Sequence, residues 1–239
     1  MSGAAPVHTV ISEALIKSAV EEDRKRFVKE DAPAEDSPPI DLFALETLRL
    51  SFKEIRCIDN VVGLDKLTKL CLDNNVIDKI ENLDTLVNLQ WLDLSFNNIQ
   101  KIEGLDKLTK LKDLSLYKNQ IEELEGLEGC KNSIECLSLG MNNIGKCLES
   151  SLYLRGFKKL KFLNFKGNPM CNELDYKKYV LAFIDGLVYL DYVMIDQADV
   201  ESAKETHQEK LHEIKREEGV LKTWVLGVAC CSAAWYGAP

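Results

Sequence analysis

The chain predicts an α/β solenoid, with a parallel sheet lining a concave side and 3₁₀ or helical segments on the convex side. Two observations carry this reading. Leu67, Leu70, Leu72, Asn75 and Ile77 return 22 residues later as Leu89, Leu92, Leu94, Asn97 and Ile99, and again as Leu111, Leu114, Leu116, Asn119 and Ile121. Within each copy the L-x-L segment has the two-residue period of a strand. The residues after the Asn (Ile77, Ile80, Leu83, Leu86, Leu89) have the three-residue period of a 3₁₀ helix.

The pattern L-x-x-L-x-L-x-x-N-x-I resembles the leucine-rich repeat. Leu45, Leu48, Leu50 and Ile55 give a first copy, with Lys53 in the Asn position. Ile134, Leu137, Leu139, Asn142 and Ile144 give a fifth, and Leu160, Leu163, Phe165, Asn168 and Met170 a sixth. Six parallel strands about 4.8 Å apart make a sheet roughly 29 Å wide. The spacing of the Asn residues widens in the last two repeats. The extra residues fall in 146–157, which are placed on the convex side as a longer helical segment. An amide offers two donors and an acceptor, so Asn75, Asn97, Asn119, Asn142 and Asn168 are expected to form a structural ladder pairing the buried groups of each turn.

Five segments follow in order. Residues 1–39 are an N-terminal extension. In it, residues 12–29 read as an amphipathic helix with Ser12 as N-cap and Ile11, Leu15 and Ala19 near one face. Residues 31–39, rich in Pro and acids, form a linker. Residues 40–167 are the repeat array. Residues 168–195 are the C-terminal cap, with Tyr176, Val180, Phe183 and Ile184 on one helix face. Residues 196–218 read as an exposed charged helix at the start of a coiled coil. Residues 219–239 are an apolar tail. Its uncharged stretch is shorter than the ~20 residues of a membrane helix, so a translated intron or alternative exon is preferred to a tail anchor.

Such an array builds a surface, and its concave face is the expected binding face. Strand alternation turns outward the residues flanking each L-x-L. From these, Arg49, Lys69, Trp91, Asp93, Asp113, Tyr117 and Phe162 are assigned to partner binding, with Trp91 as the aromatic anchor. The alternative for Trp91 is packing on the sheet or beneath the N-terminal helix. Cys71 and Cys136 are expected to be exposed on the same face.

The formal charge of −9 over 239 residues excludes nucleic acid as an expected partner. The eight cysteines form no C-x-x-C pair, which fits reduced thiols in the cytoplasm. Residues 1–9 lack a basic stretch followed by an apolar run, so no secretory leader is expected there. Gly140 to Cys147 nearly spells a phosphate-binding loop. It ends in Cys where a hydroxyl would hold Mg²⁺, and Asn142 and Ile144 are claimed by the repeat. His207 and His212 sit on different helix faces and are assigned to a solvated helix, with no metal site. Asp93 and Asp113 have no nucleophile beside them. No cofactor and no enzymatic activity are expected.

Several phrases carry a more specific resemblance. They are Val10-Ile11-Ser12-Glu13, Leu72-Asp73-Asn74-Asn75, Trp91-Leu92-Asp93-Leu94, and Leu152-Tyr153-Leu154-Arg155. The cap adds Asp175-Tyr176-Lys177-Lys178-Tyr179 and Leu187-Val188-Tyr189-Leu190-Asp191-Tyr192. Together the chain resembles the dynein regulatory complex subunit 3 family, the leucine-rich-repeat subunit of the axonemal nexin–dynein regulatory complex. The resemblance implies a scaffold in the cilium or flagellum axoneme, within the cytoplasmic cytoskeleton. Its implied partners are other subunits of the complex, dynein arms or tubulin; no membrane partner is expected. Family members continue into a long coiled coil, where this chain has one charged helix and the apolar tail. The alternative is a phosphatase regulatory subunit or another cytoplasmic adaptor gripping its partner with the concave face.

Overall fold

The computed structural model describes residues 9–27 and 39–217. Residues 28–38, which include most of the expected linker, and the apolar residues 219–239 lie outside the described residues. Six parallel strands stack in register: β1 (Thr47–Arg49), β2 (Lys69–Cys71), β3 (Trp91–Asp93), β4 (Asp113–Ser115), β5 (Cys136–Ser138) and β6 (Phe162–Asn164). The sheet then continues. β7 (Tyr189–Leu190) pairs parallel to β6, and β8 (Val193–Met194) turns back antiparallel. The six strands expected from the sequence are therefore eight, because the cap segment supplies a seventh rung. Leu190 pairs with Leu163 as Leu163 does with Leu137.

The leucines of each L-x-L point into one continuous apolar core, shared with Ile77, Ile80, Leu83 and their counterparts in the other repeats. On the convex side the three-residue spacing takes the form of successive single turns. The Leu86 amide donates to the Leu83 carbonyl at 3.0 Å, and the Leu89 amide to the Leu86 carbonyl at 2.9 Å. Gly104 (φ +68°) starts the same stretch one repeat later. A Cβ there would meet the Ile80 carbonyl oxygen at 2.7 Å, so a side chain would force adjacent repeats apart. The longer fifth repeat forms α2 (Cys147–Leu154). Asn142 and Ile144 of the near-phosphate-loop sequence are both buried in this repeat.

Each ladder residue serves two repeats. The Ile77 amide donates to Asn97 Oδ1 at 3.0 Å. Asn97 Nδ2 donates to the Leu72 carbonyl of the preceding repeat and the Leu94 carbonyl of its own, both at 3.0 Å. Asn75, Asn119, Asn142 and Asn168 make equivalent bonds. The residue before each ladder position (Phe52, Asn74, Phe96, Lys118, Met141, Gly167) has a left-handed backbone, φ 54° to 87°. That kink turns the chain from strand to convex side and aims the next side chain inward.

Both ends are covered. At the N-terminus α1 (Glu13–Phe27) starts at Ser12, whose Oγ accepts from the Leu15 amide at 3.2 Å. Ile11, Ile16 and Ala19 are buried on the first repeat, so the helix acts as a lid on the open core. Asp23 and Glu22 tie it down through Arg49 (3.1 Å) and Lys53 (2.9 Å). Lys53 thus stands where a ladder Asn would, and reaches α1 instead. At the other end α3 (Tyr176–Phe183) covers the last repeat, and Asp191, just after β7, ties it to the end of β6. Asp191 accepts from the Phe165 amide and the Tyr176 hydroxyl, both at 2.8 Å.

The charged segment after the cap is not a free helix. α4 (Gln197–Thr206) is capped by Asp196, breaks at His207 and resumes as a helical run over residues 208–217. Ala203, Leu211 and Ile214 are buried, and His207 stacks on Tyr179 with 4.4 Å between ring centroids. Only His212 of the two histidines is exposed. Val200, Ala203, His207, Leu211 and Ile214 recur at three- and four-residue steps, one stripe of a helix, and that stripe turns toward α3.

Asn97→Ala should lose about 1–3 kcal/mol, because it strands the buried Ile77 amide and two carbonyls. Leu94→Ala, in the same repeat, should lose about 2–5 kcal/mol through the cavity it opens. Urea midpoints matching the parent chain would refute this account of the repeat junction.

A candidate protein-binding groove on the concave face

The register of the sheet puts one side chain per strand into a row: Lys69, Trp91, Asp113, Cys136, Phe162 and Tyr189. Two places in that row carry standing aromatic rings. Lys69 Nζ lies 3.0 Å from the centroid of the Trp91 ring. Since Lys69 comes from β2, it covers one face of the indole and leaves the other turned toward β4. Phe162 stacks on Tyr189 with 5.2 Å between centroids and 10° between planes. Tyr189 comes from β7, so the free face of Phe162 is turned toward β5. Two ring walls therefore face each other across β4 and β5.

The floor between them is low. Asp113 and Cys136 lie in the same row, with Ser115 and Ser138 one pleat further on. The open groove between the walls has a volume of about 440 Å³, and Asn164 and Tyr192 complete its far corner. There the polar groups satisfy one another: Asn164 Nδ2 donates to Tyr192 Oη at 2.8 Å and to Ser138 Oγ at 3.3 Å. Asp113 is the one charged residue in the lining, and among the described residues it has no ion-pair partner.

Three of the seven sequence-assigned binding residues, Trp91, Asp113 and Phe162, meet in this groove. The other four do not line it. Arg49 is engaged by Asp23 of α1, and Lys69 backs the indole from outside. Asp93 turns onto its own chain and accepts from the Ser95 amide and hydroxyl at 3.0 and 2.6 Å. Tyr117 packs against Phe96 at the sheet rim, 5.6 Å between centroids. Trp91 is half-buried beside Lys69, and α1 makes its contacts at β1. The sequence pattern does not mark Tyr189 and Tyr192 as groove residues. Their signal was the return of Leu163 as Leu190 with an aromatic beside it, which places Tyr189 over Phe162.

Cys71 is 3% exposed, against the exposure expected of it. It lies between Arg49 of β1 and Asp93 of β3, both with longer side chains than its own. Burial pushes it up to about 11. Cys136 is half-buried on the groove floor, and burial together with the Asp113 carboxylate pushes its thiol up to about 12. It therefore stays a neutral thiol at physiological pH. Among the described residues no group of three or more His, Cys, Asp or Glu side chains could hold a metal.

The pKa of Cys136 predicts a pH profile. The thiolate is the reacting form, so alkylation of Cys136 should stay slow from pH 7 to 9 and climb as the pH approaches 12. Asp113→Asn removes a negative charge that opposes the thiolate, and should shift that climb to lower pH. Iodoacetamide labelling followed by peptide mass spectrometry measures both; an unshifted profile would separate the two side chains.

Comparison with known proteins agrees with this architecture. A family model described as leucine-rich repeat matches residues 77–218. Dynein regulatory complex subunit 3 of Macaca fascicularis and that of Homo sapiens are each 43% identical to the chain over 71 residues. The match covers 30% of this chain and 14% of each relative, about a seventh of their length. It supports the resemblance read from the sequence. A solved internalin C2 from Listeria monocytogenes superposes with a TM-score of 0.51 at 26% identity, covering 59% of this chain and 58% of that one. With more than half of its residues inside the matched model and its strands stacked in that register, the chain belongs to the leucine-rich-repeat family.

Proposed function

We propose that the chain is a non-enzymatic structural and regulatory subunit of the nexin–dynein regulatory complex of cilia and flagella. It would act as a protein-interaction scaffold in the axoneme, where the complex links doublet microtubules and regulates dynein-driven motility. The relatives that share its repeat sequence carry the name of that complex, which supports the setting. The observation that supports the mode of action is the concave groove, walled by Trp91 and Phe162 and floored by small side chains. Aromatic walls around a small floor are the composition of interface hot spots. The proposed partners are other protein subunits of the complex, with dynein arms or tubulin as further candidates.

Affinity purification from ciliated cells, with the wild-type chain and groove variants as baits, tests this. Trp91→Ala should weaken capture of the complex by roughly 2 kcal/mol, near thirtyfold. Tyr117→Ala should cost less, because its ring packs at the rim outside the groove. Circular dichroism and urea midpoints must match the wild type. Lost capture with unchanged stability supports the reading. Intact capture by the Trp91 variant would move the contact to another face.

A further inference from the structure

The shape of the groove says what kind of segment fits it. Trp91 on β3 and Phe162 on β6 are three strand spacings apart, about 14 Å at roughly 4.8 Å per strand. Both rings stand on edge, each braced from outside: Trp91 by Lys69, Phe162 by Tyr189. The floor residues between them, Asp113, Cys136, Ser115 and Ser138, rise little above the sheet. An α-helix with its side chains is about 10–12 Å across, which matches the gap. A single extended chain is narrower and would touch one wall at a time. Floor polarity narrows the choice further. The Ser138, Asn164 and Tyr192 groups already bond to one another, whereas the Asp113 carboxylate has no cation among the described residues.

We propose that the groove holds one amphipathic α-helix of a partner protein, lying along the strand direction. That helix presents apolar side chains to Trp91 and Phe162 and one Lys or Arg to Asp113. This rests on the concave-face binding reading above and adds the form and charge of the occupant. A basic anchor is what the floor lacks: a carboxylate half-buried between two rings gains most from a charge-assisted bond, and a neutral or acidic helix would leave it desolvated with no counter-charge. The apolar faces account for affinity, and the single charge fixes the register of the helix in the groove.

The test uses the full chain, immobilised, and a displayed library of 24-residue peptides tiling the proteins of isolated axonemes. Peptides retained by the wild type and lost on Trp91→Ala should carry apolar residues at i, i+3 or i+4, and i+7, with a Lys or Arg on that face. For such a peptide Asp113→Asn should weaken binding about tenfold or more. Asp113→Lys should abolish binding, and exchanging the peptide's basic residue for Glu should restore it. Ser138→Trp, which fills the floor and leaves both walls in place, should also block binding. It gives a second reading should Trp91→Ala lower the urea midpoint. Groove-dependent peptides with a two-residue period or Pro-rich sequence would overturn the helix and leave the binding face standing. Helical peptides indifferent to Asp113→Asn would overturn the basic anchor. If no retained peptide depends on Trp91 or on an open floor at Ser138, both the helix and the concave-face reading fall.

Discussion

A buried turn amide without a partner costs about as much as the repeat could gain from a leucine, and the solenoid is organised around avoiding that cost. One carboxamide per repeat, from Asn75 to Asn168, supplies an acceptor to the repeat before it and donors to two carbonyls. Because Asn lies inside, the residue before it must turn with a left-handed backbone, even where that residue is Phe96 or Met141. Because each Asn spans two repeats, the strands are locked in register, and side chains of equivalent position line up across the sheet. The two ends, where a further Asn has nothing to serve, break the rule in different ways. Lys53 turns to α1, and after Asn168 the Met170 amide bonds the Ile144 carbonyl directly, while the Asp191 carboxylate takes the Phe165 strand amide and the Tyr176 phenol.

The groove follows from the same registration. Rows are imposed by the ladder, so which side chains become neighbours depends only on position within the repeat. Trp91, Asp113, Cys136 and Phe162 share a position, and the alternation of large and small side chains along it makes walls and a floor. The bracing of each wall has the same origin, since Lys69 and Tyr189 are the next members of the row at either side.

The array was legible in the sequence because one repeat length fixes strand, turn and core together. The site was legible in part. Trp91, Asp113 and Phe162 could be placed on the concave face by alternation alone. Tyr189 and Tyr192 could not, since the repeat motif decays there: Leu187 and Leu190 survive, but Tyr192 stands where the third leucine should be and no Asn follows. Arg49 and Asp93 looked free because alternation says where a side chain points and nothing about what meets it. In the fold one meets α1 and the other its own turn. Cys71 departs from its expected exposure for the same reason: exposure on a sheet face depends on the length of the neighbours as well as on direction. The charge of the α4 region suggests a solvated helix. Its buried stripe runs through Ala203 and His207, residues that a hydrophobicity pattern scarcely registers.

The ladder has a direction. Each carboxamide oxygen accepts from the repeat that precedes it, as Asn97 does from the Ile77 amide 20 residues upstream. A ribosome releases the chain from its N-terminus, so every turn emerges before the residue that completes it. The nascent solenoid therefore trails its own synthesis by one repeat, with a single unfinished turn at the growing end. That open end passes forward along the chain until Asn168 leaves the exit tunnel and completes the turn at Ile144.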